Sequence, residues 1–281
     1  MTQHSHRHHG GDHDHHDEAG LAELLDWDAE VLGSYLDEAT GWIEQLLPSA
    51  PRTVVDVGAG TGTGTLALAR RFASAQVMAI DRSPAMLDRV GTEAGREGMA
   101  DRVHLLQADL DSTWPDAGAV DLAWASSSLH ELADPERVFE DLFAALNPGG
   151  LLAVIEMDAL PRFLPDDVGL GRPGLEVRCH EAVGQLGWNS HPDWRPQLER
   201  AGFDVVGQRI FPVAAGPAAP NTGRFAYAYL SRMRTALAGR LDAEDLATLD
   251  LLLSDGHPGA LLRRADLSVH GSRTAWLARR P

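Results

Sequence analysis

The stretch that decides the fold runs from Val54 to Arg70 and reads VVDVGAGTGTGTLALAR. It combines an apolar strand that carries a carboxylate, a turn rich in glycine and the beginning of a helix. Glycine lets the backbone turn tightly and approach a ligand closely, and the first turn of a helix has amides without partners inside the helix. The sequence therefore predicts a cradle in which the backbone holds a nucleotide-type cofactor.

Strands and helices alternate along the chain from this stretch onward. Apolar runs predict strands over residues 53–57, 76–80, 103–107, 120–125, 151–156, 204–213 and 272–279. Strands that alternate with helices form parallel sheets covered on both faces. We therefore expect an α/β fold, with a Rossmann-like seven-stranded, mostly parallel sheet, helices on both faces and helical lid insertions.

Breaks in this alternation divide the chain into segments. The core falls into a cofactor-binding half over residues 52–157, a continuation over residues 192–213 and a final strand over residues 268–281. Segments rich in Pro and Gly interrupt it. We expect a lid insertion over residues 158–191 and a helical insertion over residues 214–267.

The N-terminal stretch, residues 1–18, holds seven of the thirteen histidines, interleaved with Asp and Glu. It has nothing apolar to bury, so we expect a disordered tail, followed by a helical cap over residues 19–51. Imidazoles at this density can bind Ni, Zn or Cu ions, and metal storage or sensing is one interpretation. The interpretation we favour is a solvated leader without a role in the chemistry, so no metal site is predicted.

The charge balance and the single cysteine limit the partners and the compartment. With 24 Lys and Arg against 41 Asp and Glu, the chain has a formal charge of −17, which repels a phosphate backbone, so no nucleic-acid partner is expected. Cys179 has no second cysteine to pair with, and no segment reaches the roughly 20 apolar residues of a membrane-spanning helix. We expect a soluble cytoplasmic protein with a small-molecule substrate and no membrane partner; its oligomeric state stays open.

Further polar residues follow the second, third and fourth predicted strands. Asp81 follows the second strand, Asp109 follows the third, and the stretch from Ser126 to His130 follows the fourth. The carboxyl ends of parallel strands meet at one edge of a sheet, where open α/β sheets bind their ligands. We therefore expect these residues and the glycine turn to form one site.

Five motifs in this order and spacing resemble those of the class I S-adenosylmethionine-dependent methyltransferases, in particular the small-molecule branch related to ubiquinone and menaquinone biosynthesis enzymes. The motifs are VVDVGAGTGTGTLALA, AIDRSPAML, LLQADL, VDLAWASSSLHEL and LNPGGLLAVIE, and they span about residues 52–157. The resemblance implies S-adenosyl-L-methionine as the cofactor and methyl transfer to a small molecule as the activity.

The resemblance also implies which residues hold the methionine end of that cofactor. Asp56 would orient the methionine end, and the backbone of Ala125 would bind its amino group. Gly58, Gly60 and Gly62 would let the main chain meet the cofactor without side chains in the way.

A second group of residues would hold the adenosine end. The resemblance implies that Asp81 binds the ribose, with Arg82 beside the adenosine and Met86 against the ring. Asp109 and the amide of Leu110 would read the adenine edge. Asp81 also precedes a Ser-Pro pair typical of a helix start, and capping and ribose binding can coexist.

A nicotinamide-dependent oxidoreductase is the competing interpretation. The pattern Gly62-x-Gly64-x-x-Ala67 fits the dinucleotide fingerprint, and Asp81 lies at about the expected distance after it. Three features disfavour this alternative. Asp56 stands where the pyrophosphate would pass, a second acidic residue follows the third strand, and LNPGG lies where the methyltransferases have it.

His130 is the candidate general base, because it follows the fourth strand and an imidazole titrates near neutral pH. The alternative, about equally supported, is that His130 forms hydrogen bonds within its loop or caps the next helix. Glu131, Glu156 and Asp158 are weaker candidates. We expect His130→Ala to lower turnover far more than cofactor affinity.

The acceptor is less well defined by the sequence. Aromatic residues in the two insertions could wall an apolar pocket, which suggests a mid-sized acceptor with an oxygen or carbon nucleophile, such as a polyketide, phenol or quinone-like metabolite. A third class also fits the cradle, namely a protein that binds the cofactor without transferring its methyl group.

Overall fold

The computed structural model describes residues 11–217 and 219–281, and for residues 11–19 it describes the backbone alone. Its centre is a sheet with the order β3-β2-β1-β4-β5-β7-β6. The strands are β1 (Thr53–Val57), β2 (Gln76–Asp81), β3 (Val103–Gln107), β4 (Val120–Ser126), β5 (Leu146–Met157), β6 (Asp204–Ala215) and β7 (Val269–Arg279). Strands β1 to β5 pair in parallel, while β7 is antiparallel to β5 and β6. The predicted seven-stranded, mostly parallel sheet is confirmed.

Nine α-helices surround the sheet within residues 11–217 and 219–281. They are α1 (Gly11–Leu32), α2 (Tyr35–Leu46), α3 (Thr63–Arg71), α4 (Pro84–Arg96), α5 (Pro135–Ala145), α6 (Leu175–Gly184), α7 (Arg195–Arg200), α8 (Thr222–Ala236) and α9 (Ala243–Leu252). Local signals set the helix starts. The side chain of Ser83 accepts a hydrogen bond from the Met86 amide (3.3 Å), and Asp134 accepts one from the Arg137 amide (3.1 Å). In both helices proline at the first position fits because its missing N–H would lack a partner there.

Alternate strand residues face two separate apolar cores. In β1, Val54 belongs to the core that also contains Ile43 of α2 and Leu230 of α8, whereas Val55 packs with Phe139 of α5. This alternation is the two-residue period of a strand buried on both faces. We call the two sides of the sheet the α1 face and the α5 face.

The structure corrects one predicted boundary. Helix α1 begins at Gly11, so it includes part of the stretch 1–18 that the sequence predicted to be a disordered tail, while residues 1–10 lie outside the described residues. Extending a helix costs much less than nucleating one, and α1 is anchored further along by the buried residues Ala22 and Leu32.

The two irregular segments form structure over the α1 face. The carboxylate of Glu176 in α6 accepts hydrogen bonds from the amides of Phe163 and Leu164, at 2.8 Å to each. Phe163 in turn packs on Phe225 of α8, with ring centroids 4.8 Å apart. These contacts tie the two insertions to each other beside the N-terminal helix α1, which contacts α8. None of the described helices is both long enough and apolar enough to cross a membrane.

Candidate functional site

The site lies where β1 and β4 separate. Their parallel pairing ends at Asp56 opposite Trp124, and the chain leaves β1 towards β2 on one side while β5 follows β4 on the other. This is the point at which the strand order reverses, where ligands of open α/β sheets bind. Beyond it lie the glycine turn and the loop after β4.

The glycine turn is folded tightly against the start of β2. The amides of Gly58 and Ala59 both donate to the carbonyl of Ile80 (2.9 Å each), and the Gly60 amide donates to Oδ2 of Asp81 (2.8 Å). Gly58 has φ +72°, and a Cβ there would lie 2.5 Å from the Cβ of Ser128. These three amides therefore bond within the protein, while the prediction of unpaired amides concerned the first turn of α3.

Asp56 is buried beneath the first turn of α3. Its Oδ2 accepts a hydrogen bond from the hydroxyl of Thr65 (2.6 Å). Burial raises the pKa of Asp56 to about 7, nearby Asp81 adds to the rise, and the Thr65 hydrogen bond opposes it. A carboxylate that is costly to ionise in this position would be stabilised by a cationic group, such as a ligand's amino group.

Gly64 and Trp124 complete the floor beneath Asp56. A Cβ on Gly64 would lie 2.8 Å from Nε1 of Trp124 and 3.1 Å from Oδ2 of Asp56. Gly64 is therefore required for packing between α3 and the sheet. The carboxylate lies directly against this helix turn, where a dinucleotide would place its negatively charged pyrophosphate, so the geometry disfavours the nicotinamide alternative.

Asp81 connects the glycine turn to α4. Besides its bond to Gly60, it accepts a hydrogen bond from the amide of Ser83 through Oδ1 (2.9 Å). A carboxylate has about four acceptor sites, so both oxygens retain capacity for hydroxyl groups of a ligand. Arg82 is exposed and Met86 is buried in the first turn of α4.

The remaining predicted cofactor residues follow β3 or belong to β4. Asp109 is exposed, and its oxygens accept hydrogen bonds from the Asp111 amide (3.1 Å) and the Ser112 hydroxyl (3.0 Å). Leu110 is buried, and Ala125 lies buried in β4. The amide of Ala108 donates to the carbonyl of Asp81 (3.0 Å), which brings the Asp109 loop beside the end of β2.

His130 is held between two carboxylates. Its Nδ1 lies 2.9 Å from Oε2 of Glu156, and its Nε2 lies 3.3 Å from Oε1 of Glu131. Burial alone would lower the pKa of His130, but the hydrogen bonds to Glu131 and Glu156 outweigh it and raise the pKa to about 9. The imidazole is therefore protonated at neutral pH, which disfavours its predicted role as a base.

A cavity of about 130 Å³ lies on the α1 face beside Asp56. Pockets that enclose a whole ligand of drug size are about 300 to 1,000 Å³, so this cavity accommodates one end of a ligand. Its wall includes Ser127, which lies in the stretch that the sequence assigned to the site. It also includes Tyr35, Asp28 and Arg273, three residues that the sequence analysis did not assign to the site. His130 is absent from the described lining; its ring lies near His191, at 6.4 Å between centroids.

These lining residues differ in how far the sequence could reveal them. Ser127 has the left-handed φ of +53° and a buried hydroxyl without a hydrogen-bond partner among the described residues. The run of three serines at the end of β4 was the signal available in the sequence. The positive φ, which only the structure shows, is typical of functional sites when the residue is not glycine. An arginine inside a buried strand was a usable signal for Arg273. Among the residues whose side chains the structure describes, 20–217 and 219–281, no cluster of three or more His, Cys, Asp or Glu could hold a metal ion.

Comparison with known proteins finds similarity in the central part of the chain. Residues 54–150 match the methyltransferase domain family. The chain is 37% identical over 135 residues to the trans-aconitate 2-methyltransferase of Variovorax paradoxus, covering 47% of this chain and 50% of that enzyme. The enzyme of the same name from Acidovorax ebreus is 32% identical over 182 residues, covering 63% of this chain and 61% of that enzyme. The chain thus spans about half to three fifths of the length of these relatives.

Two solved structures share the fold. A protein of Bacillus halodurans is 18% identical with a TM-score of 0.56, covering 87% of this chain and 99% of that chain. Phosphoethanolamine N-methyltransferase 2 of Haemonchus contortus, determined with S-adenosylhomocysteine, is 17% identical with a TM-score of 0.53, covering 96% of this chain and 59% of that chain. At these identities the likeness concerns the fold alone.

Proposed function

We propose that this chain is an S-adenosylmethionine-dependent methyltransferase that acts on a small-molecule acceptor. The observation that carries the proposal is the arrangement at the separation of β1 and β4. There the glycine turn, buried Asp56 and Asp81 meet within the segment that matches the methyltransferase domain family. We further propose that the protein works in the cytoplasm and, with its formal charge of −17, does not bind nucleic acid.

The residues at this edge suit the chemical groups of S-adenosylmethionine. Glycine at position 58 lets the turn pack against Ser128 of the loop after β4, so the turn has no side chain there that could obstruct a cofactor. Asp56, costly to ionise alone, would pair with the amino group, and Asp81 retains acceptor sites for ribose hydroxyls. We propose that Arg82 and Met86 flank the adenosine, that Asp109 and the Leu110 amide read the adenine, and that the Ala125 backbone contributes to the amino-group site.

When bound, the cofactor supplies a methyl group on a positively charged sulfur, which is an activated electrophile. The protein must then align an acceptor nucleophile with that methyl group and exclude water. Alignment of this kind can lower a barrier by about 7 to 11 kcal/mol. Helix α1 contributes to the exclusion of water, because Leu25 covers the glycine turn, with its Cδ1 3.2 Å from the position of a Cβ on Gly60.

We propose a carboxylic acid as the first acceptor to test. The name trans-aconitate 2-methyltransferase describes enzymes that act on a carboxylate, and this chain resembles them over part of its length. A carboxylate oxygen is already a nucleophile at neutral pH and needs no general base, which agrees with a protonated His130. The polyketide, phenol and quinone-like acceptors, and the branch related to ubiquinone biosynthesis, stay predictions from the sequence.

Methyl transfer from labelled S-adenosylmethionine tests the proposal. The purified protein is incubated with the labelled cofactor and a panel of acids and phenols that includes trans-aconitate, and calorimetry compares binding of S-adenosylhomocysteine with binding of NADH. We expect the label to be transferred to at least one acceptor of the panel. We also expect the protein to bind S-adenosylhomocysteine and not NADH. Asp56→Asn should weaken that binding, whereas Asp88→Asn, an exposed position on α4, should leave it unchanged.

The opposite results separate the alternatives. Tight binding of NADH without S-adenosylhomocysteine would indicate an oxidoreductase. Binding of S-adenosylhomocysteine without label transfer to any acceptor would indicate a cofactor-binding protein that does not methylate.

A further inference from the structure

An arginine is buried in the wall of the cavity described above. The side chain of Arg273, at the beginning of β7, is 4% exposed, and it donates through one nitrogen, Nη2, to both oxygens of Asp28 in α1 (2.8 and 2.6 Å). Asp28 itself is 25% exposed. The pair therefore joins a fixed cation in the sheet to an accessible carboxylate on a covering helix.

Part of the guanidinium of Arg273 is unused. Its Nε is buried and has no hydrogen-bond partner among the described residues, and its Cζ lies 5.0 Å from the centroid of the Tyr35 ring. Leaving a buried N–H of a charged group unpaired is unfavourable, and such groups usually have a protein or ligand partner. The geometry of a guanidinium allows a second carboxylate to bind side-on through Nε and Nη2.

The position of Arg273 in the sheet separates it from Asp56, the residue proposed to hold the cofactor's amino group. In the β5–β7 pairing it lies opposite Met157, and strand alternation puts it with Ala275 and Leu277 on the α1 face, the face of Trp124. Strand β7 is three positions from β1 in the sheet, or roughly 14 Å at the usual strand spacing. Asp56, which would hold the cofactor's amino group, lies on β1.

We propose that Arg273 is a specificity-determining residue that binds a carboxylate of the methyl acceptor, while Asp28 occupies it until the acceptor arrives. This proposal rests on the methyltransferase function proposed above. An incoming carboxylate takes the Nε and Nη2 donors, and Asp28 moves to solvent, where its charge is hydrated. Tyr35 keeps the guanidinium plane in position by packing against it.

Calorimetry on the full chain saturated with S-adenosylhomocysteine tests this assignment, with trans-aconitate, citrate and succinate as probes. Arg273→Gln should weaken binding of the best acid roughly 10- to 100-fold, the usual value of a charge-assisted contact, and Arg273→Lys should give an intermediate value. The affinity for S-adenosylhomocysteine should change less than about twofold in both variants. Asp28→Asn removes the competing carboxylate, so it should tighten acid binding several-fold even though it breaks the same ion pair.

A matched control breaks a comparable pair elsewhere. Arg178 donates to both oxygens of buried Asp245 (2.7 Å each), away from the cavity wall. Arg178→Gln should leave the binding of the acids unchanged. If Arg273→Gln fails to fold, Asp28→Asn still decides, because a purely structural ion pair predicts unchanged or weaker acid binding in that variant.

The proposal would be overturned by any of the following results, in addition to unchanged or weaker acid binding in Asp28→Asn. One is that Arg273→Gln binds the acids as well as the wild type does. Another is that Arg273→Gln loses as much affinity for S-adenosylhomocysteine as for the acids, which would assign Arg273 to the cofactor's own carboxylate. A further one is that the wild type binds none of the acids. Failure of the methyltransferase proposal is recognised separately, by the absence of S-adenosylhomocysteine binding. Transfer of label to a neutral acceptor would refute only the role of Arg273.

Discussion

Replacing His130 with asparagine should remove a pH dependence of stability between about pH 6.5 and pH 9. The pKa of His130 is about 9 in the folded protein, against the ordinary value of 6.5. At about 1.36 kcal/mol for each pH unit, this difference is worth about 3 kcal/mol. Glu131, one of the two carboxylates responsible, is 70% exposed, so screening by salt reduces the value to about 2 kcal/mol.

The direction follows from which state holds the proton more tightly. The folded protein binds this proton better than the unfolded chain, so the stabilisation is complete below about pH 6.5 and is lost as the pH rises through about 9. Asparagine preserves the contact without the charge, because its amide nitrogen can take the place of Nδ1, 2.9 Å from Oε2 of Glu156. We therefore expect His130→Asn to be less stable than the wild type at about pH 6 and similar to it at about pH 9.5.

Urea unfolding followed by far-UV circular dichroism measures this difference, provided that the slope with urea is the same at each pH. His104→Asn, a substitution of an exposed histidine on β3, is the control and should follow the wild type. If the free energy of unfolding fell with rising pH by the same amount in the wild type and in His130→Asn, the coupling between His130 and the two carboxylates would be refuted. Turnover of the same variant examines the base, since removing a general base typically costs about 10²- to 10⁴-fold.

Three further predictions concern the cofactor site and the lid. The affinity for S-adenosylhomocysteine should fall as the pH drops from about 8 to about 6, because Asp56, with a pKa of about 7, must ionise to pair with an amino group. Calorimetry of Asp56→Asn should show weak binding that does not change with pH. Gly58→Ala should lower the free energy of unfolding by about 2 to 4 kcal/mol in urea titrations, because of its φ of +72° and the contact with Ser128; an unchanged midpoint would contradict this. Arg178→Gln should lower the free energy of unfolding by about 2 to 3 kcal/mol, because it leaves buried Asp245 with fewer hydrogen-bond partners. Calorimetry should show an unchanged affinity for S-adenosylhomocysteine, and a reduced affinity would place the pair in the cofactor site.

The sheet and the cofactor edge could be predicted because their signals are local. Glycine positions, strand ends and helix caps are encoded within a few residues, and the predicted strand over residues 53–57 has the bounds of β1. The hydrogen bonds of the glycine turn could not be predicted from these signals. Whether the Gly60 amide faces a ligand or Asp81 depends on how β2 lies beside β1.

The sequence by itself determined the fold class, the edge of the sheet that carries the candidate site and the acidic residues near the ends of β1, β2 and β3. Only the tertiary structure decided which charged groups meet. His130 pairs with Glu156 across 26 positions, and Arg273 pairs with Asp28 across 245 positions. Periodicity specifies the face of a strand or helix on which a side chain lies, but a partner is chosen only when β7 inserts beside β5 and α1 folds over the sheet. The protonation of His130 and the buried cation in the cavity wall both arise at that step, because burial and neighbouring charges set them.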